Sequence, residues 1–287
     1  MTLTQWIQTG PFLLDGGWGT QLQERGLEVG KHPDLWNLTH PEKVLEVAEA
    51  YVAAGSDVIL TNTFGANRFT LEKHGAADKV VEINRRGVDI SKQAANGKAK
   101  VFASMGPTGM MLMMGTVSAD GMHTAFREQA EAIAAAQPDG IVVETMSDVA
   151  EAAIAVKAAK TTGLLVAVCM VFDSGKNKDR TMMGTTPEQA IQQLTDAGAD
   201  ILGSNCGQGI DGFIPICQRM RAVTTLPLWM KANAGLPEIV DGKTVYRQSP
   251  EVFATKTLEL VAAGANFVGG CCGTSPEFVA AVRKVLS

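Results

Sequence analysis

Three cysteines in this chain stand where an open metal site would need them. Cys271 and Cys272 are adjacent in Phe267-Val-Gly-Gly-Cys-Cys-Gly-Thr274, and Cys206 lies far upstream in Gly203-Ser-Asn-Cys-Gly-Gln-Gly209. Each group follows a short apolar run and is surrounded by glycine, which is typical of side chains delivered to the rim of a parallel barrel. Zinc favours tetrahedral sulfur and nitrogen ligands, and a catalytic zinc site keeps one position open. Two plainer interpretations stay open at this point: small core cysteines, or a disulfide between the adjacent pair.

A site with three thiolates favours chemistry on a substrate thiol. Zinc held by three cysteinates carries a net negative charge, so a substrate thiolate added to it stays electron-rich while the metal lowers the pKa of its thiol. Such a nucleophile forms near neutral pH without a separate base. The histidines lie away from the predicted strand ends, so we expect neither a histidine ligand nor a histidine base; they are His32, His40, His74 and His123.

Eight short apolar runs predict the strands that position these residues. The runs do not alternate with polar residues, which indicates strands buried on both faces of a parallel sheet. They are Phe12–Leu14, Val58–Leu60, Val101–Ala103, Gly140–Val143, Leu165–Val171, Ile201–Gly203, Leu228–Met230 and Phe267–Val268. Helical patterns lie between them, at Pro41–Ala54, Ala125–Ala136, Asp148–Lys160, Thr186–Ala197 and Pro250–Ala263. This repeat predicts an α/β fold, a single (β/α)8 TIM barrel over residues 1–287, with a doubly wound open sheet as the alternative.

The C-terminal ends of the strands form the active site of such a barrel. Strands six and eight flank strand seven, and a spacing of about 4.8 Å between neighbours leaves roughly 10 Å between the two cysteine-bearing backbones, which two thiolates and a metal can bridge. Asp15 and Glu144 end strands one and four, where carboxylates bind substrate cations or act as acid and base. The ammonium group of an amino acid is a plausible target. A turn or helix-capping role for Asp15 and a structural ion pair for Glu144 are the alternatives.

The composition narrows the functional classes. The chain is 46% hydrophobic and 19% charged, with a net charge of −5. It has no basic stretch that would bind nucleic acid and no apolar run of the roughly 18 residues that a membrane span needs. We therefore expect neither nucleic acid nor a membrane as a partner. The five cysteines form no secreted framework, and we recognise no signal peptide, which favours a cytoplasmic location with reduced thiols. We expect Cys169 and Cys217 to be buried structural thiols.

The segments at the strand ends resemble the homocysteine S-methyltransferase family. They are Asp15-Gly-Gly-Trp-Gly-Thr20, Thr61-Asn-Thr-Phe64, Gly106-Pro-Thr108, Val143-Glu-Thr145, Asn205-Cys206 and Gly269-Gly-Cys-Cys-Gly-Thr274. The resemblance covers essentially the whole chain. The segment Ala232-Asn-Ala-Gly-Leu-Pro237 is similar to the homocysteine-binding module of cobalamin-dependent methionine synthase.

The resemblance implies a zinc-dependent (β/α)8 enzyme that transfers a methyl group to homocysteine and forms methionine. It makes Cys206, Cys271 and Cys272 both the catalytic residues and the zinc ligands, with Asn233 as a fourth ligand when substrate is absent. It implies that Asp15 and Glu144 hold the amino end of the substrate. The full set of substrate-binding residues that we take from these motifs is Asp15, Gly17, Trp18, Asn62, Glu144 and Asn233.

The resemblance also implies methylcobalamin or another methylcorrinoid as methyl donor. The chain contains neither a second barrel for methyltetrahydrofolate nor an Asp-x-His-x-x-Gly cobalamin motif, so we expect the corrinoid to arrive on a separate partner protein. Another small thiol acceptor, a small donor such as S-methylmethionine or betaine, and reverse demethylation that feeds a corrinoid protein are the alternatives. A non-catalytic thiol- or metal-sensing barrel is a further one.

Three departures from the family pattern lie near the predicted mouth. Trp18 stands where a smaller residue is usual, and Lys231 stands where proline is expected. The run Met110–Met114 replaces a more polar segment. This run is either a loop packed by adaptable side chains or a flexible apolar lid or partner surface. These changes leave the donor and the exact acceptor open.

Overall fold

The computed structural model describes residues 2–240 and 243–287, and within them eight parallel strands form one ring. Together with one separate pair, the strands of the described residues in chain order are β1 (Phe12–Leu13), β2 (Val58–Leu60), β3 (Lys100–Met105), β4 (Gly140–Met146), β5 (Leu165–Met170), β6 (Ile201–Gly209), β7 (Leu228–Asn233), β8 (Glu238–Val240), β9 (Lys243–Val245) and β10 (Phe267–Gly270). The ring runs β1-β10-β7-β6-β5-β4-β3-β2, and β8 and β9 form a separate antiparallel pair. A parallel bridge between Leu14 and Val58 joins β1 to β2 and completes the ring. The predicted (β/α)8 TIM barrel is confirmed.

The helices cover the outside of the ring. They are α1 (Leu3–Trp6), α2 (Trp18–Glu24), α3 (Trp36–Thr39), α4 (Pro41–Ala53), α5 (Arg68–Glu72), α6 (Val80–Ala95), α7 (Ala119–Ala135), α8 (Val149–Lys160), α9 (Pro187–Asp196), α10 (Ile210–Arg221), α11 (Pro250–Ala262) and α12 (Pro276–Leu286). Short 3-10 turns lie at Pro33–Leu35, Ala77–Lys79 and Leu112–Met114. Within the described ranges no helix has both the length and the hydrophobicity that crossing a bilayer requires.

Capping side chains and glycines determine where the predicted helices begin and end. The Thr186 hydroxyl accepts a hydrogen bond from the backbone N–H of Gln189, and the Gln189 side-chain oxygen accepts one from the backbone N–H of Thr186. This pair forms a capping box at the start of α9. Gly198 follows the end of α9 with a φ of +95°, a conformation that glycine adopts without strain. The five predicted helices are confirmed within a few residues, except that α7 begins six positions earlier (125 − 119) than predicted.

Three aromatic side chains pack together in the interior of the barrel. Phe102, Trp229 and Phe267 are buried inside the ring, with ring centroids 5.4 Å apart for the first pair and 5.1 Å for the second. Replacing one buried aromatic side chain of this kind by alanine typically costs about 3–5 kcal/mol. Side chains two residues apart on a strand share a face, so Lys231 points from β7 to the same side as Trp229, one layer nearer the mouth.

Candidate metal centre

Three cysteine sulfurs meet at the mouth of the barrel. Cys206 belongs to β6, and Cys271 and Cys272 follow β10 directly. The three Sγ atoms all lie within 4.8 Å of one another, and those of Cys206 and Cys272 are 3.8 Å apart. All three are free thiols, so the adjacent pair is not a disulfide. The other two cysteines, Cys169 and Cys217, are buried away from this cluster, as expected of structural thiols.

A bulge in β6 turns Cys206 towards this cluster. The pairing of β6 with β7 shifts register between Asn205 and Gly209. Cys206 has a φ of +62° and Gly207 a φ of +79°, which interrupts the regular alternation of the strand. A bulge of this kind re-aims a side chain and is common next to active sites. The bulge delivers the Cys206 sulfur to the mouth and keeps Asn205 inside the ring.

Of the three thiols, that of Cys206 loses its proton most readily. Hydrogen bonds from Cys271 and then from Cys272 lower the pKa of the Cys206 thiol to about 3, against the opposing effect of burial. The pKa of Cys271 is raised, first by its hydrogen bond with Cys206, and the pKa of Cys272 is raised to about 11 for the same leading reason. Crowded thiols in low-dielectric surroundings resist a second ionisation unless a cation joins them.

Asn233 and Tyr246 support two of the cysteines. The Oδ1 atom of Asn233 accepts a hydrogen bond from the backbone N–H of Cys272 at 3.1 Å, and the same side chain makes a weaker contribution to lowering the Cys206 pKa. The Tyr246 side chain hydrogen-bonds Cys272, and its ring lies so close to Gly273 that a Cβ there would be 2.2 Å from it. The ligand role predicted for Asn233 is untested, although a carbonyl oxygen keeps a second lone pair for a metal.

A buried ion pair lies beside the cysteines. Asp15 and Lys231 are 0% and 2% exposed, and the Lys231 Nζ is 2.5 Å from Asp15 Oδ1. The other Asp15 oxygen, Oδ2, accepts hydrogen bonds from the backbone N–H of Leu60 and from Trp18 Nε1, each at 2.7 Å. Asp15 therefore caps no helix. Trp18 is held with its indole against this carboxylate and lines the cavity.

Glu144 is fixed on the opposite side of the ring. Its Oε1 accepts a hydrogen bond from the Ser104 hydroxyl at 2.5 Å, and its Oε2 accepts one from Asn205 Nδ2 at 3.3 Å. Burial raises the pKa of Glu144, opposed chiefly by the charge of Lys231. Thr145, the next residue, has a φ of +62°, and Asn205 Oδ1 accepts a hydrogen bond from its backbone N–H at 2.7 Å. Asn205 thus joins Glu144 to the strand that carries Cys206.

The three cysteines and Glu144 line one cavity of about 530 Å³. Gly17 lines it and approaches the cysteine loop closely, since a Cβ there would lie 2.6 Å from the carbonyl oxygen of Cys271. Asn62 also lines it, with its Nδ2 donating to the Pro33 carbonyl at 2.9 Å and to Asn37 Oδ1 at 3.0 Å. Four of the predicted substrate-binding residues line the cavity, namely Gly17, Trp18, Asn62 and Glu144. Asp15 is not among the lining residues; it is fully buried and paired with Lys231. Asn233 is not among them either, but it contacts Cys272, which lines the cavity.

His32 also lines the cavity, although, as predicted, it lies at no strand end. It belongs to no strand, but the segment before the Pro33–Leu35 turn folds over the mouth. Its Nε2 is 3.6 Å from Asp34 Oδ2, and its ring stacks on His74 with centroids 4.7 Å apart. Burial lowers the pKa of His32 to about 4 and raises that of Asp34 to about 7, so the pair favours its neutral forms.

The methionine-rich loop is packed on one side and exposed on the other. Met110 and Leu112 are half-buried and pack against the hydrophobic core. Met111, Met113 and Met114 are exposed, and the last two keep 71% and 68% of their surface accessible. The loop follows β3, so it lies at the end of the barrel that carries the cysteines.

A model of the family described as homocysteine S-methyltransferase matches residues 12–286. The chain belongs to the homocysteine S-methyltransferase family. Family membership identifies the protein as a methyltransferase enzyme and confirms the resemblance drawn from the strand-end motifs.

Curated relatives include the methionine synthases of Mycobacterium leprae and Mycobacterium tuberculosis. They are 28% and 27% identical over 100% and 99% of this chain, and the match takes up 25% of each relative. The chain therefore spans about a quarter of the length of the curated relatives it matches. A solved structure, the metallated form of the homocysteine methyltransferase MmuM from Escherichia coli, has a TM-score of 0.80 at 21% identity and covers 98% of both chains. That likeness shows the barrel fold.

Proposed function

We propose that this member of the family is a zinc-dependent methyltransferase that methylates the thiol of homocysteine to form methionine. A methylcorrinoid carried by a separate protein is the proposed methyl donor, and residues 1–287 are proposed to act as one homocysteine-binding barrel. The observation that carries the proposal is the convergence of three free cysteine sulfurs, all within 4.8 Å of one another, at the wall of one cavity. The family and the two methionine synthase relatives support homocysteine as the acceptor.

The cysteine cluster fits a tetrahedral zinc ion. With a zinc–sulfur distance of about 2.3 Å, two sulfurs at a tetrahedral angle lie about 3.8 Å apart. Cys206 and Cys272 have that separation, and Cys271 lies within the same range. Asn233 is the proposed fourth ligand before substrate binds. Zinc bound there would lower the pKa of a substrate thiol and hold it as a thiolate near neutral pH.

The chain's own residues supply position and shielding for the transfer. In the reaction the acceptor sulfur forms a bond to the methyl carbon, the bond from that carbon to the donor breaks with its electron pair leaving on the donor, and the thiol proton is released. Asn205 holds the Glu144 carboxylate in place, Trp18 lines the cavity, and Tyr246 contacts Cys272. Exclusion of water by such side chains strengthens the local electrostatic interactions.

The acceptor and donor assignments are tested together. Zinc-loaded protein is incubated with homocysteine and, in parallel reactions, with methylcobalamin, S-methylmethionine or betaine, and methionine is measured. We expect methionine with at least one donor and a strong preference for the corrinoid. Methionine formation from none of the three would contradict the proposed function.

Two cysteine variants separate the metal site from the rest of the chain. Cys271→Ala is expected to lose bound zinc and methionine formation together, because one of three thiolates is missing. The matched control is Cys217→Ala, which removes a buried thiol on α10 outside the cluster and should keep the zinc. Equal zinc content in the wild type and in Cys271→Ala would remove the ligand assignment. A cytoplasmic location stays a prediction.

A further inference from the structure

Lys231 is a buried cation that the proposed chemistry does not require. It lies on β7 and is 2% exposed, and its side chain lines the same cavity as the three cysteines. A buried ammonium group is costly unless it is paired, because it loses its hydration. Its partner is Asp15, with Nζ 2.5 Å from Oδ1. A charge retained at such a position shapes what the cavity binds.

The pairing leaves Asp15 with little capacity for a substrate cation. Its Oδ1 faces Lys231, and its Oδ2 already accepts two hydrogen bonds, from the Leu60 backbone and from Trp18. All three donors are buried or half-buried, and the backbone donor cannot move away. A substrate ammonium group would reach Asp15 only by displacing Lys231.

The carboxylate of Glu144 lies in the cavity together with Lys231. Glu144 and Lys231 are 7% and 2% exposed, and both line the cavity. The protein therefore supplies its own cation among the groups that would attract an ammonium group. A second ammonium group brought into this buried space would meet repulsion from Lys231, since like charges interact strongly where water is excluded.

Lys231 also has hydrogen-bonding capacity to offer. A lysine ammonium group has three N–H donors. Among the contacts of the described residues, Asp15 is its hydrogen-bond partner. The remaining donors suit an anionic group such as a carboxylate at the far end of a small thiol, because charge-assisted hydrogen bonds of this kind are the strong ones.

We infer that Lys231 determines acceptor specificity, and that the acceptor class is small thiols with a carboxylate end in which an α-ammonium group is not required. This inference rests on the proposed function and deepens it: homocysteine is one member of the class, and its desamino counterpart 4-mercaptobutanoate is another. The two molecules differ only in the ammonium group.

The test compares the binding of these two thiols to zinc-loaded protein by calorimetry, which does not depend on the methyl donor. The wild type is expected to bind 4-mercaptobutanoate at least as tightly as homocysteine. Tighter binding of homocysteine by the wild type overturns the inference while leaving the proposed function intact. Failure of both thiols to bind would instead contradict the proposed function, and the inference with it.

Variants of the lysine give a second, independent result. In Lys231→Met the Asp15 carboxylate becomes available to an ammonium group, so the ratio of the two dissociation constants should shift by about tenfold in favour of homocysteine; a tenfold change corresponds to about 1.4 kcal/mol. Lys100→Met is the control, because it removes a lysine–aspartate pair (Nζ to Asp139 Oδ1, 2.9 Å) at the start of β3, the opposite end of the barrel. An unchanged ratio in Lys231→Met contradicts the specificity role. If that variant does not fold, the wild-type comparison decides.

Discussion

Replacing Cys206 by glycine and, separately, by alanine should separate the metal function of this residue from its backbone strain. Both replacements remove the sulfur, so both are expected to lose zinc binding. They differ in the backbone, because Cys206 has a φ of +62°, in the left-handed region. Glycine adopts that region freely, whereas alanine keeps the strain of the wild-type residue.

The magnitudes follow from the two effects. A non-glycine residue in the left-handed region costs about 1–2 kcal/mol, and the greater freedom of glycine in the unfolded chain offsets part of the gain. In the metal-free state, Cys206→Gly should therefore be about 1 kcal/mol more stable than Cys206→Ala. With zinc at about a thousand times its dissociation constant, the wild type should gain about 4 kcal/mol, and both variants much less.

The assay is guanidinium unfolding of the wild type and both variants, with zinc and with a chelator. Two results would refute the reasoning, and they address different steps. A zinc-dependent gain in Cys206→Ala equal to that of the wild type would refute the ligand assignment. Equal stability of the two metal-free variants would refute the strain at the β6 bulge and leave the ligand assignment standing.

Two further predictions concern the walls of the cavity. Gly17→Ala would place a Cβ 2.6 Å from the Cys271 carbonyl oxygen, so it should displace the cysteine loop and weaken zinc binding about tenfold or more. The control is Gly19→Ala, whose Cβ would have no neighbour within 4 Å and which should leave zinc binding unchanged. Zinc titrations of the two variants compare their affinities. Asp34→Asn tests the raised pKa of Asp34, about 7. The folded protein binds the Asp34 proton more tightly than the unfolded chain does. The stabilisation from the protonated acid is therefore fully present below about pH 4 and is lost as the pH rises through 7. The stability of the wild type relative to Asp34→Asn should fall by about 2.5 kcal/mol between pH 5 and pH 8 in denaturant unfolding, and a pH-independent difference would show that Asp34 is not protonated in the folded protein.

The sequence by itself determined the barrel and the cysteine cluster. Buried parallel strands have a local signature, which is a short apolar run without polar alternation, and each of the eight runs that carry it is a strand of the ring. Once the strands are counted, ring topology places the ends of strands six and eight on either side of strand seven. The sequence therefore places the backbones of Cys206, Cys271 and Cys272 near one another at the mouth of the barrel.

Tertiary structure alone decided how charges are arranged around the sulfurs. The ion pair of Asp15 and Lys231 joins β7 to the end of β1 across the barrel, 216 residues apart in sequence, and no local pattern specifies it. His32 reaches the cavity from a segment that belongs to no strand, so a rule based on strand ends missed it. The turn of Cys206 depends on a register shift between β6 and β7. Each of these features arises from packing between distant segments, where the position of one side chain is set by the space and charge that others leave.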